Sequence, residues 1–119
     1  MSKRAQGSRA ESSARMWLEQ RGLEHVESNY HCRQGEIDLV MRDNGTLVLV
    51  EVRMRRSGQY GGAAASVDYH KQRKLRRSVA HYTASRSVSS RQVCRIDVVA
   101  IEAIETAWQV DWIQNAICD

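Results

Sequence analysis

Two short segments carry the residues best suited to chemistry. Glu36-Ile37-Asp38-Leu39-Val40-Met41 and Thr46-Leu47-Val48-Leu49-Val50-Glu51-Val52 are strand-like apolar runs that nevertheless contain carboxylates, with Asp43-Asn44-Gly45 between them. Asn-Gly between apolar runs is the strongest short-range hairpin signal, because both residues accept the positive φ of a type I′ turn. With Asn44 and Gly45 as the loop, Asp38 falls opposite Glu51 and Glu36 opposite Arg53. Alternation then puts all four side chains on one face. A three-residue loop would instead set Asp38 against Val50. Opposed residues have Cβ atoms about 4.5–5.5 Å apart, where two carboxylates repel. A divalent cation relieves that repulsion, and hard oxygen donors suit Mg²⁺ or Mn²⁺. The same residues also read as a solvated sheet face, neutralised by Arg53 and nearby lysines.

The elements that must position these residues follow from patterning. Residues 1–8 read as a flexible polar arm, and 9–119 as a single domain. Ser8 is a candidate cap for a helix from Arg9 to Arg21, with Ala10, Ala14, Trp17 and Leu18 in one stripe and Gly22 as its stop. Glu24–Cys32 reads as a first strand, followed by the hairpin. The run Thr46–Val52 is apolar on both faces, which predicts a central strand. Arg55–Ser66, with Gly58, Gly61 and Gly62, reads as a loop. Ser66 can cap a helix over Val67–Ala84, with Asp68 in its first turn. A linker at Ser85–Arg91 precedes a buried strand, Arg95–Ile101. Ala107–Trp112 reads as an edge strand and Ile113–Cys118 as a short tail helix. The order α-β-β-β-α-β with one extra strand predicts a mixed α/β architecture.

In the second helix, Val67, Leu75, Val79 and Tyr82 form an apolar stripe, and Lys71 falls on it. An inward lysine either snorkels to the rim or points at the carboxylate pair. His70, Arg73, Lys74, Arg76, Arg77 and His81 lie on the outer side.

The net charge of +4 conceals a strong asymmetry. Arg53 to Arg95 holds 11 basic residues and one acid, Asp68, whereas the rest holds 7 basic and 13 acidic residues. Such a basic segment suits a polyanion: Arg55, Arg56, Arg73, Lys74 and Arg77 are the candidate phosphate contacts. Few aromatics accompany them, so an aromatic platform for bases is not evident. Cys32, Cys94 and Cys118 are odd in number and show no C-x-x-C spacing, which argues against a zinc knuckle or redox dithiol. No apolar run reaches the roughly 20 residues of a membrane span, and no apolar stretch follows the basic N-terminus. A cytoplasmic protein without membrane contact is the expectation.

Gly35-Glu36-Ile37-Asp38-Leu39, the turn, and Val50-Glu51-Val52-Arg53 together resemble the D-x(n)-E-x-K signature of the PD-(D/E)XK nuclease superfamily. Adding Ala10-Glu11 with Ala14, Asn29, Gly61, Val67, Lys71 and Arg95-Ile96-Asp97-Val98-Val99, the chain resembles the YraN family, which is similar to archaeal Holliday-junction resolvases. The likeness implies a restriction-endonuclease-like core, a mixed central sheet flanked by helices. It implies metal ligation by Asp38, Glu51, the Val52 carbonyl and Glu11; Asp38, Glu51, Arg53, Lys71 and Glu36 are the candidate catalytic residues. The implied reaction is metal-dependent phosphodiester hydrolysis in DNA, branched or flapped, by a homodimer. Two positions depart from the signature. Ile37 precedes Asp38 in place of proline, and Arg53 stands at the lysine. Arginine stays protonated and cannot act as a general base, although it can orient water or stabilise charge on phosphate. Lys71 could supply the missing ammonium.

Two other function classes stay open. A non-catalytic nucleic-acid-binding protein would bind DNA without Asp38 and Glu51, and Arg53 favours it. A protein whose basic face meets an acidic partner would show no preference for nucleic acid.

Overall fold

A computed structural model describes residues 3–55, 68–104 and 107–117. The order is α1 (Lys3–Gln20), β1 (Glu24–Cys32), β2 (Gly35–Asp43), β3 (Thr46–Arg55), α2 (Tyr69–Ser85), β4 (Cys94–Ile104) and β5 (Ala107–Ile113). The strands form one mixed sheet in sequence order. β1–β2, β2–β3 and β4–β5 are antiparallel, while β3 and β4 are parallel and joined through α2. The doubly apolar β3 is thus the central strand, as its composition requires.

Each helix covers a different core. Ala10, Ala14 and Leu18 of α1 pack with Leu39, Met41, Val48, Val50, Val99 and Ile101. Leu75 and Tyr82 of α2 pack with Val40, Leu47, Leu49, Val98 and Ala100. The period-2 alternation of β2, β3 and β4 sorts their side chains between these two cores.

The local signals act as expected at several boundaries. Asn44 and Gly45 adopt φ of 48° and 88°, and the hairpin closes at Asp43↔Thr46. Past the end of α1, Gly22 N–H donates to the Glu19 carbonyl and Leu23 N–H to the Leu18 carbonyl, a Schellman closure.

Other expectations are corrected. The first helix begins at Lys3, so residues 3–8 of the expected arm are helical and Ser8 is not its cap. Lys, Arg, Ala and Gln are good helix formers and extend the helix backwards. The second helix starts at Tyr69, capped by Asp68, whose Oδ1 accepts from Lys71 N–H at 2.9 Å. Ser66 and Val67 lie outside the described residues, as does most of the Arg55–Ser66 loop. The expected tail helix is absent among the described residues: Ile113 ends β5, and a turn follows.

A buried acid pins the far edge of the sheet. Asp97, 0% exposed, accepts from Arg95 Nε, from Trp112 Nε1 at 2.9 Å and from Asn115 N–H at 2.8 Å. Arg95 also bonds Asp43 at 2.8 Å. One carboxylate therefore ties β4, β5 and the following turn, and through Arg95 the β2–β3 hairpin. Asp97→Ala would leave Trp112 Nε1 and Arg95 Nε, both partly buried, without this acceptor. We expect a loss of about 3–5 kcal/mol in urea denaturation. A loss under about 1 kcal/mol would mean that water replaces the carboxylate.

Candidate functional site

The sheet parts where the carboxylates gather. β2 and β3 keep the Asn-Gly register from Asp43↔Thr46 to Leu39↔Val50. Beyond that point β2 pairs with β1 through Tyr30↔Ile37, His31↔Glu36 and Cys32↔Gly35. β3 continues along β4, from Glu51↔Val98 to Arg55↔Glu102. The hairpin phase read from sequence is right, but the ladder stops one pair short of Asp38 and Glu51. The side chain bridges the gap instead: Val52 N–H donates to Asp38 Oδ2 at 2.8 Å.

This parting opens a cleft of about 330 Å³ between the sheet and α2. Asp38, Glu51, Val52 and Arg53 line one side, with Lys71, Lys74 and Ser78 of α2 on the other. Gly35 allows the helix to come this close. Its φ is 146°, and a Cβ there would stand 3.2 Å from Ser78 Oγ.

Asp38 is the hub. It is 9% exposed and is crowded by the carboxylates of Glu11, Glu36 and Glu51. One carboxylate oxygen from each of Glu11, Glu36 and Asp38 fits within 4.8 Å of the others. Glu51 joins from the opposite strand and pairs with Arg53 at 3.7 Å. Glu11 comes from the other layer of the molecule, on α1. Asn29 steers it: in the amide orientation that satisfies both groups, its nitrogen donates to Glu11 Oε2 at 2.7 Å. Asn29 has φ of 56° within β1, a conformation asparagine tolerates better than most residues. His31 Nδ1 stands 3.6 Å from Glu36 at the rim.

The electrostatics follow from crowding. Burial, then the Glu51 charge, pushes the Asp38 carboxyl up to about 9. Burial also raises Glu51, against the pull of Asp38 hydrogen bonding and the Arg53 and Lys71 charges. Burial and the Glu36 charge raise Glu11. All-oxygen donors, anionic and crowded around one buried acid, have the chemistry that hard divalent cations take.

The other expected residues divide. Lys71 is not buried on the apolar stripe; the inward face of α2 is Leu75, Ser78 and Tyr82. Lys71 stays exposed at the cleft mouth, because its stem reaches the rim while the ammonium keeps water. Lys74 joins it there. Arg73 and Arg77 are exposed outside the cleft, and the Arg73 guanidinium lies 5.8 Å from the Tyr69 ring centroid. Arg76 is half-buried and lines a different cavity with Cys94 and Asn115, so it leaves the expected outer row. Arg55 ends β3, and Arg56 lies outside the described residues. Sequence reasoning gave no site role to Asn29, Ser78 or His31. The only local signals were an asparagine inside a strand and a small polar residue one turn beyond Lys74.

A pH dependence follows. Between the unfolded Asp value of roughly 3.9 and about 9, the folded chain holds a proton at Asp38 that the unfolded chain has released. Raising pH across this window therefore favours unfolding, by up to about 1.4 kcal/mol per unit. In metal-free buffer, Asp38→Asn should melt above the wild type at pH 8, and the gap should close towards pH 4. Equal melting temperatures across that range would show that Asp38 carries no such strain. Gly35→Ala should lower stability by about 1–3 kcal/mol in urea denaturation, since backbone and Ser78 both oppose the methyl. An unchanged midpoint would mean that the turn and α2 yield to it.

The model of the family described as "Uncharacterised protein family UPF0102" matches residues 10–101. A UPF0102 protein of Alcanivorax borkumensis is 48% identical over 116 residues, covering 97% of this chain and 93% of its own. One from Methylococcus capsulatus is 49% identical over 111 residues, covering 93% and 89%. The UPF0102 protein YraN of Salmonella agona is 44% identical over 120 residues, covering 100% and 88%. The match runs from the α1 residues beside Glu11, through both carboxylate strands and α2, to the end of the buried β4 segment, and the chain belongs to the UPF0102 family.

Proposed function

We propose that this protein is a metal-dependent endonuclease that hydrolyses phosphodiester bonds in DNA, with a restriction-endonuclease-like core. The observation that carries this reading is the cleft itself. A buried Asp38 ringed by Glu11, Glu36 and Glu51 faces Lys71 and Lys74 across a space of about 330 Å³. An anionic floor beneath a cationic wall suits a divalent cation and a phosphate together. Asp38, Glu51, Glu11 and the Val52 carbonyl would hold Mg²⁺ or Mn²⁺. Bound there, the ion would supply Lewis-acid polarisation of a phosphate oxygen and acidify its water.

The chain's own residues do the rest. Lys71, Lys74 and Arg53 hold the phosphate and offset the charge that builds as water attacks and the ester P–O bond breaks. Arg53 keeps its proton, so the attacking water loses its proton elsewhere. Glu36, exposed at the mouth beside Asp38, is placed to accept it. The exposed Arg73 and Arg77 extend the phosphate contacts, and Arg55 and Arg56 join them in this reading. A homodimer in the cytoplasm is part of the same proposal.

The Glu51–Arg53 ion pair favours one second reading, a DNA-binding protein without catalysis. In that reading Arg53 keeps Glu51 neutralised where the signature lysine would serve the reaction.

The test is cleavage of branched, single-stranded and duplex DNA with Mg²⁺ or Mn²⁺. Asp38→Asn and Glu51→Gln should each lower the rate by about 10²–10³-fold while DNA binding persists. Arg53→Lys should retain cleavage and Arg53→Ala should not. Binding without cleavage by the wild type would establish the non-catalytic reading. Failure to prefer nucleic acid over an acidic polypeptide would remove both.

A further inference from the structure

A second cavity, of about 420 Å³, lies at the other end of α2. Its lining includes Arg42, Leu47, Tyr82, Arg86, Val88 and Gln92. The planar Arg86 guanidinium is held at two points. Its Nε and an outer nitrogen each donate to one oxygen of Glu27 at 3.0 Å. Its guanidinium carbon lies 5.0 Å from the Tyr30 ring centroid and 5.5 Å from that of Tyr82. Even so, its side chain remains 46% exposed. Tyr30 in turn bonds His81 and Ser85, which fastens β1 to the end of α2.

Arg42 is half-buried in the same cavity. Glu24 stands opposite it in the strand register, yet the two form no ion pair among the described residues. Arg42 and Arg86 against Glu27 give the cavity one net positive charge, which matches one phosphodiester. Leu47 and Val88 supply apolar wall for a flat, uncharged ring. A fixed guanidinium plane stacks a nucleobase much as an aromatic ring does. A base inside a duplex is stacked on both faces by its neighbours, whereas an unpaired base can be splayed out to lie on such a plane.

We infer that this cavity holds an unpaired nucleotide of the DNA strand, its base against Arg86 and its phosphate on Arg42. The inference rests on the DNA-directed reading of the neighbouring cleft and names its substrate class: DNA with a single-stranded segment. The spacing is suitable. Leu47 precedes Glu51 by four residues on β3, roughly 13 Å at the usual strand rise. An unpaired strand can stretch beyond the roughly 3.4 Å stacked rise, so about four nucleotides or fewer span that distance. From Lys74 in the first cavity, Arg77 and His81 lie exposed along α2 towards the second.

Fluorescence anisotropy in EDTA buffer tests this without cleavage. The probes are a labelled single-stranded 12-mer, the same strand made abasic, and a blunt 12-base-pair duplex. The abasic strand should bind the wild type about tenfold more weakly than the intact strand. Arg42→Ala should weaken the intact strand about tenfold and the blunt duplex less than twofold. Arg86→Lys, which keeps the charge and loses the plane, should erase the difference between intact and abasic strands. Equal losses on strand and duplex, or equal binding of intact and abasic strands, would overturn the inference. Should Arg86→Lys fail to fold, Arg42→Ala and the abasic strand still decide it. A strand preference retained in a wild type that cleaves nothing would sink the nuclease reading alone.

Discussion

The site depends on one uncomfortable fact: Asp38 is buried among carboxylates. An ionised acid removed from water needs a partner, and the groups nearest Asp38 are Glu11, Glu36 and Glu51. The folded chain answers in two ways within itself. The Val52 amide donates to the carboxylate, and the carboxyl retains its proton far above the ordinary range. Neither response would be needed if the acids stood on an open sheet face. The fold holds them together against their repulsion because two cores grip the strands from opposite sides.

The parting of β2 from β3 makes the cluster possible. A continuous ladder would leave no room between the strands for Glu11 to arrive from α1 or for a cleft beneath α2. The strands can separate there because each keeps its other neighbour, β1 for β2 and β4 for β3. Backbone groups thus remain paired on one side while the gap is filled by side chains. Away from the site, two carboxylates secure the frame. Asp97 gathers β4, β5 and Arg95, and Glu27 clamps Arg86 at the end of α2.

Charge is divided by function across the same structure. The acids cluster where the sheet opens, and the cations lie on the helix that faces the opening. Lys71 contributes because it is exposed at the rim, where its charge opposes part of the rise that burial imposes on Glu51. Arg53, beside Glu51, keeps a permanent positive charge against the floor. The result is a short distance between a place for a cation and a place for a phosphate.

Local chemistry was legible from the residues alone. Asn44-Gly45 set the hairpin phase, the alternating apolar residues named the buried faces, and the two-sided apolar run marked β3 as central. These signals act over a few residues, so a linear reading captures them. Helix ends were less legible: good helix formers carried α1 back to Lys3, and Asp68 rather than Ser66 capped α2. Pairing across layers was not legible at all. Nothing near Glu11 indicates Asn29, nothing near Glu27 indicates Arg86, and nothing near Asp97 indicates Trp112. Periodicity put Lys71 on the inward stripe, but packing left it at the rim beside Glu51. By itself the sequence determined which residues alternate, turn and carry charge. Only the tertiary structure decided which charges meet, because the energies of burial and repulsion depend on distances that close when the layers come together.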